Sequence, residues 1–258
     1  MFIEERHQAI LDYIEKNSRI AATEIQDMFE VSFDTARRDL RILEEKGLLK
    51  RTHGGAIPIH QIGFSKPPKV TARDISEIKE NYFAIAQKAV SMIKDHDVIF
   101  ITSATVGYFM AQNLPKDFFI TVVTNSIIIA EELRKQDNIR VIITAGEMDG
   151  KGNCYDSFTV EIIKRMRFDK AFITSASISE EFGLSIQRTN HVEFINAVIN
   201  SSKCSIGLYP TEKIGFESII SICPANKLDI LITDWDVSEE ELKKFDKQGI
   251  DIIVVEKE

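Results

Sequence analysis

Seven short Val/Ile-rich runs constrain this chain more than any other feature: DVIFITSAT, FITVVTNS, RVIITAGE, KAFITSAS, CSIGLYP, DILITDW and DIIVVEK, all between residues 97 and 257. Stretches of helix length separate them. A strand that is apolar at nearly every position is buried on both faces, which implies a mostly parallel sheet covered by helices on each side. From residue 77 to 258 the expectation is therefore one large α/β domain.

Five of these runs close on threonine followed by small or polar residues: Thr102-Ser103-Ala104-Thr105, Thr124-Asn125-Ser126, Thr144-Ala145-Gly146, Thr174-Ser175-Ala176-Ser177 and Thr233-Asp234. Two of them, FITSAT from Phe100 and FITSAS from Phe172, are near copies. In a parallel sheet all carboxyl ends share one edge, the edge at which such folds bind ligands. Hydroxyls and small side chains there let backbone N–H groups at the following helix starts approach an anion. Ser103, Ala104, Thr105, Thr124, Asn125, Ser126 and Asp234 are the candidate ligand residues on this ground. Helix capping is the plainer use of the same residue types.

The first 57 residues have a different period. Three runs place apolar residues at helical spacing: Ile3, Ile10 and Ile14; Ile25, Met28 and Phe29; Ala36, Leu40 and Leu43. Ser32 is a candidate N-cap for the third run and Gly47 its stop. LLKRTHGGAI then alternates toward a Gly-Gly turn, as a two-stranded wing would. Residues 58–76 hold three of the six prolines and no sustained period, so they are expected to form a linker.

The chain carries a net charge of -8, which argues against indiscriminate nucleic-acid binding but not against a local basic patch. Between residues 37 and 51 Arg37, Arg38, Arg41, Lys46, Lys50 and Arg51 face only Asp39, Glu44 and Glu45, a net of +3. If Ala36, Leu40 and Leu43 are buried, a step of about 100° per residue turns Arg37, Arg38 and Arg41 outward. That layout suits a helix entering the major groove, where an arginine fork matches the two acceptors of guanine. Ser32 and Thr35 can reach phosphates or bases. Lys50, Arg51, His53, Gly54 and Gly55 on the wing are placed for the flanking backbone. A winged helix-turn-helix binding double-stranded DNA is the expectation.

The pattern VS-x-x-T-x-RRDL-x-x-L-E-x-x-G-x-L-x-R-x-HGGA, running from Val31 to Ala56, closely resembles the DNA-binding domain of the DeoR family of bacterial transcription regulators. Glu30 departs from it, standing where the family usually has a turn glycine; a left-handed Glu would cost roughly 1 kcal/mol. TVVTNSIIIAEEL and DILITDW resemble the family's second domain, which looks like ribose-phosphate isomerase and CoA-transferase folds and typically senses a phosphorylated sugar. Three departures fall there. Thr102-Ser103-Ala104-Thr105-Val106 replaces D-S-G-T-T, Thr144-Ala145-Gly146 replaces T-G-G, and Pro210 to Gly215 replaces D-x-S-K-F-G while retaining Lys213. The resemblance implies a repressor of a sugar-related operon that assembles as a homodimer or homotetramer on repeated or palindromic half-sites. It also implies an anionic effector of the phosphosugar class, held by residues including Ser103, Thr105, Asn125 and Lys213. Loss of the family Asp and Gly could equally leave the large domain to oligomerise only.

An isomerase-like or transferase-like enzyme is the alternative from another class, with Glu193 and Asp234 as conceivable bases, yet positions 102 and 210 hold Thr and Pro where the family keeps Asp. No cofactor or metal is expected. Cys154, Cys204 and Cys223 have no C-x-x-C spacing and the five histidines form no cluster, so buried, inert thiols are anticipated. No apolar run reaches the ~18 residues of a membrane span, and a cytoplasmic location is expected.

Overall fold

A computed structural model describes residues 2–17, 19–59 and 80–257. Almost all of the expected linker lies outside these residues.

The amino-terminal unit contains α1 (Ile3–Asn17), β1 (Ile20–Ala21), α2 (Ala22–Phe29), α3 (Phe33–Glu45), β2 (Leu49–Arg51) and β3 (Gly55–Pro58). Ile10, Ile14, Ile25, Ala36, Leu40, Leu43 and Leu49 form its core. Ile3 and Met28, expected on the buried faces, are 41% and 46% exposed because each sits at the end of its helix, beyond the core. The wing is also larger than a hairpin: β3 lies between β2 and β1, paired antiparallel to both. Gly55 makes this possible, since a Cβ there would lie 1.9 Å from the Ile20 carbonyl oxygen. Glu30 is indeed left-handed, at φ 51° and ψ 42°, and ends α2 with the C-cap that a glycine would otherwise provide.

Charged residues help to close this small core. Asp39, 1% exposed, accepts from Arg6 Nε at 2.7 Å and Nη2 at 3.1 Å and lies 3.0 Å from His7 Nε2, which ties α3 to α1. Glu44 accepts the Arg51 N–H at 2.8 Å and so ties α3 to the wing.

The larger unit opens with α4 (Glu80–Ser91), β4 (Val98–Ile101), α5 (Thr105–Gln112), β5 (Ile120–Thr124), α6 (Ile127–Leu133), β6 (Ile139–Ile143), α7 (Ser157–Lys164) and β7 (Lys170–Ile173). It continues through β8 (Ser177–Ser179), β9 (Gly183–Ile186), α8 (Asn190–Asn200), β10 (Ser205–Leu208), β11 (Ile220–Cys223), β12 (Ile230–Thr233), α9 (Glu239–Asp246) and β13 (Asp251–Val254). Each of the seven Val/Ile-rich runs is a strand, and all seven form one sheet in the order β13-β12-β10-β7-β4-β5-β6, parallel at every pairing. Side chains alternate between its two faces. Ile99 and Ile101 of β4 pack with α4, α5 and α6, while Phe100 packs with α7 and α8.

From β4 the chain builds β5 and β6 on one side, then returns to build β7, β10, β12 and β13 on the other. The order therefore reverses between β4 and β7, the place where doubly wound sheets open a crevice. The near copies FITSAT and FITSAS are the ends of these two strands. A small antiparallel sheet, β11-β9-β8, covers the α8 side and was not anticipated. Its buried Ser177, Ser179 and Ser185 interrupt the apolar pattern that marked the other strands.

Asp39→Ala would leave Arg6 and His7 without their acceptor and lower stability by about 3 kcal/mol. Glu45→Ala, which removes an exposed partner 3.9 Å from Arg41, should change it by less than about 0.5 kcal/mol. Urea denaturation of the two variants measures the difference.

Candidate functional site

On the amino-terminal unit, Ser32 caps α3 by accepting the Thr35 N–H at 3.1 Å, and the two hydroxyls are 2.9 Å apart. With Ala36, Leu40 and Leu43 buried, Arg37, Arg38 and Arg41 all point outward. The Arg37 guanidinium lies 5.9 Å from the centre of the Phe33 ring, and Phe33 is 44% exposed on the same face. A cavity of about 240 Å³ separates α3 from the wing, lined by Phe33, Arg37, Leu40, Arg51, His53 and Gly54 among others. His53 and Gly54 are exposed at the wing tip.

Two wing residues are placed otherwise than expected. Gly55 is buried beneath Ile20, so it shapes the wing without presenting a surface. Lys50 is turned away from α3 and pairs with Glu241 of α9 at 3.1 Å.

The crevice of the larger unit is built by hydrogen bonds between strand ends. The Phe172 carbonyl accepts both the N–H and the hydroxyl of Thr102, each at 3.1 Å, closing the floor between β4 and β7. The Ser103 N–H donates to Asn125 Oδ1 at 3.1 Å, and Asn125 Nδ2 donates to the Cys154 carbonyl at 3.2 Å. The Ser103 hydroxyl is hydrogen-bonded to the Tyr155 hydroxyl. Ser103, Ala104 and Thr105 are half-buried, and no side chain caps α5 behind them. From β7, Lys213 Nζ donates to Thr174 Oγ1 at 3.2 Å and to the Ser175 carbonyl at 3.1 Å.

An aromatic wall stands beside Ser103. The Tyr155 ring stacks on His191 at 3.8 Å and meets Phe194 edge-on at 5.0 Å. Burial raises the Tyr155 phenol above its usual range, although its hydrogen bonds to Ser103 and Asn125 pull the other way. Burial, then the charge of Arg188, then that of Lys151 hold His191 down to about 4 against an opposing pull from Asp149.

Four expected ligand residues face inward. Thr124, Asn125, Ser126 and Asp234 are at most 3% exposed. The Thr124 hydroxyl accepts the Ser126 N–H, and Asn125 is occupied in holding Ser103. Asp234 accepts from Asn81 Nδ2, the Thr211 N–H, the Thr211 hydroxyl and the Asp236 N–H, so it is a structural acceptor at the core of the unit. Glu193 is exposed on α8. Among the described residues no three His, Cys, Asp or Glu side chains are grouped so as to hold a metal ion, and no helix is long and apolar enough to cross a membrane.

Comparison with known proteins decides between the readings. Residues 6–62 match the DeoR-like helix-turn-helix domain and residues 79–235 match the DeoR C terminal sensor domain. The chain belongs to the DeoR family. It is 31% identical to the HTH-type transcriptional repressor GlcR of Bacillus subtilis, over 100% of this chain and 98% of that protein. It is 32% identical to the lactose phosphotransferase system repressor of Lactococcus lactis, over 93% and 94% of the two chains. Ribose 5-phosphate isomerase A of Methanocaldococcus jannaschii aligns at a TM-score of 0.38 with 13% identity, over 52% of this chain and 53% of its own.

This DeoR-family chain is thus a DNA-binding transcriptional regulator with a sensor domain for a small-molecule effector, and its relatives are named as regulators rather than enzymes. Tyr155 and His191 beside Ser103, and Thr174 and Ser175 beside Lys213, were not among the candidate residues read from the sequence. Tyr155 lies in a loop without periodicity, and His191 carries no sequence neighbour that marks it. Only the strand-end position of Thr174 and Ser175 offered a signal.

Because the folded His191 ring resists protonation, the unfolded chain takes up its proton first as pH falls below 6.5. Stability should therefore fall between pH 6.5 and about 4. His191→Phe, which keeps the stack on Tyr155, should flatten that decline in thermal melts across the same window.

Proposed function

We propose that this regulator is a cytoplasmic repressor of a carbohydrate-metabolism operon and that a small phosphorylated sugar or related anion controls its affinity for DNA. The carrying observation is the placement of Lys213 at the end of β7, the strand paired with β4, which leads into the uncapped start of α5. Backbone N–H groups at a helix start and a lysine amine are suited to phosphate. Thr102 replaces the family's carboxylate without introducing another negative group at that position, which leaves the crevice favourable to an anion. Ser103, Thr174 and Ser175 supply hydroxyls for sugar oxygens. The relative named as the lactose phosphotransferase system repressor supports the same chemical class.

On the DNA side, α3 enters the major groove with Arg37, Arg38 and Arg41 facing base edges and Ser32 and Thr35 near phosphates. Arg51, His53 and Gly54 approach the flanking backbone. The net of +3 over residues 37–51 is modest, so two heads bound together on paired half-sites, in a homodimer or homotetramer, would supply the affinity.

Arg37→Ala or Arg38→Ala should cost about 1–3 kcal/mol of specific binding each, with an unchanged melting curve. Electrophoretic shift against promoter fragments tests this, and wild-type affinity in both variants would remove α3 as the reading helix. A thermal-shift panel of phosphosugars should raise the melting temperature of the wild type but not of Lys213→Ala. Absence of any shift at millimolar ligand would reject the effector class.

A further inference from the structure

The sensor domain presents a small acidic and aromatic face to the wing. Glu241, in the first turn of α9, accepts from Lys50 Nζ at 3.1 Å, and the same Lys50 Nζ lies 5.0 Å from the centre of the Phe216 ring. Arg19, just before β1, pairs with Asp236 at 2.8 Å, and the His53 N–H donates to the Asp236 carbonyl at 3.3 Å. Lys50 and Glu241 are 27% and 13% exposed, so both ends of this pair are largely withdrawn from solvent. Although burial alone would raise the Glu241 carboxyl, Lys50 and Lys244 hold it below its usual value, so it stays charged.

We propose that Glu241, Asp236 and Phe216 form an internal docking face that stands in for DNA phosphates and holds the wing, so that operator binding and wing docking are mutually exclusive. A lysine on β2 cannot reach Glu241 and a phosphate flanking the major groove at once, and the docked wing spends Lys50 and Arg19 on carboxylates. All four side chains keep between 13% and 28% exposure, so phosphates can take over from the carboxylates as charge-assisted partners of Lys50 and Arg19 without leaving either cation buried and unpaired. The docked position is shaped closely: Gly215 has φ +74°, and a Cβ there would lie 2.4 Å from Lys50 Nζ.

The same face is continuous with the crevice. The segment from Thr211 to Phe216 donates to Asp234 at its start, sends Lys213 to Thr174 and Ser175, and ends with Phe216 under Lys50. If the crevice is the effector site, as proposed above, an anion that draws on Lys213 and DNA that draws on Lys50 bias one segment, and each changes the affinity of the other.

Zero-length carbodiimide cross-linking of the full chain tests the contact directly, because it joins only a lysine and a carboxylate already in contact. A Lys50–Glu241 cross-linked peptide is expected from the free protein and should disappear with saturating random-sequence duplex. The second arm is salt-dependent binding of that duplex. Glu241→Gln should bind several-fold more tightly than wild type, with a salt slope steeper by about one unit, and Lys50→Ala with Glu241→Gln should lose that gain. Failure to form the cross-link, its persistence at saturating DNA, or affinity of Glu241→Gln no greater than wild type would each overturn the proposal. The cross-link in the free chain requires neither DNA nor effector, so its outcome is separate from that of the ligand panel.

Discussion

The backbone carbonyl of Phe172 closes the parallel pairing of β4 with β7 on which the sensor domain is organised. It receives both the N–H and the hydroxyl of Thr102 and so fastens β4 to β7 where the strand order reverses. The elements built after β4 and those built after β7 depart in opposite directions from this point. Their divergence leaves a crevice without any side chain having to hold it open. Ser103 and Lys213 approach it from either side, each positioned by hydrogen bonds to neighbouring strand ends. The near-identical endings of the two strands have a physical reading here: both must finish beside the same opening, one residue after leaving the sheet.

Much of this architecture was legible because strand burial leaves a coarse signature. Ile99, Phe100 and Ile101 must all be apolar when both faces of β4 are covered, and the same logic marked all seven strands of the large sheet. Helix α3 was legible through Ala36, Leu40 and Leu43, whose burial left Arg37, Arg38 and Arg41 facing outward. What was not legible depends on partners remote in sequence. Asn125 looks like a ligand residue until Ser103 and Cys154 are seen to claim its amide, and Asp234 looks like a strand-end acid until Asn81 and Thr211 converge on it. The pairing of Lys50 with Glu241 was hidden because the two lie 191 positions apart. The small sheet escaped notice because buried Ser177, Ser179 and Ser185 alternate with Ile178 and Leu184, so its strands lack the continuous apolar runs of the large sheet.

The acidic balance of the chain is compatible with a DNA reader because much of the negative charge near the reading head is committed. Asp39 is enclosed by Arg6 and His7, and Glu44 is bound to the wing through Arg51. Asp39 does not project toward the surface that Arg37, Arg38 and Arg41 occupy, and Glu44, which shares the Arg37 side of α3 with 40% of its side chain exposed, is offset by Arg51 at 3.7 Å. The field that DNA would meet is therefore set by which charges are buried or already paired, and the formal sum of -8 describes a different quantity.

Ala104 shows how such a sensor could change its ligand at little expense. Its backbone is extended, with φ -162° and ψ 165°, a conformation open to any side chain. Exchanging the family's glycine for alanine there thus imposes no backbone strain, and a larger residue would project into the half-open loop in front of α5. The position between β4 and α5 accordingly accepts a change of side chain without strain in the strand that precedes it or the helix that follows.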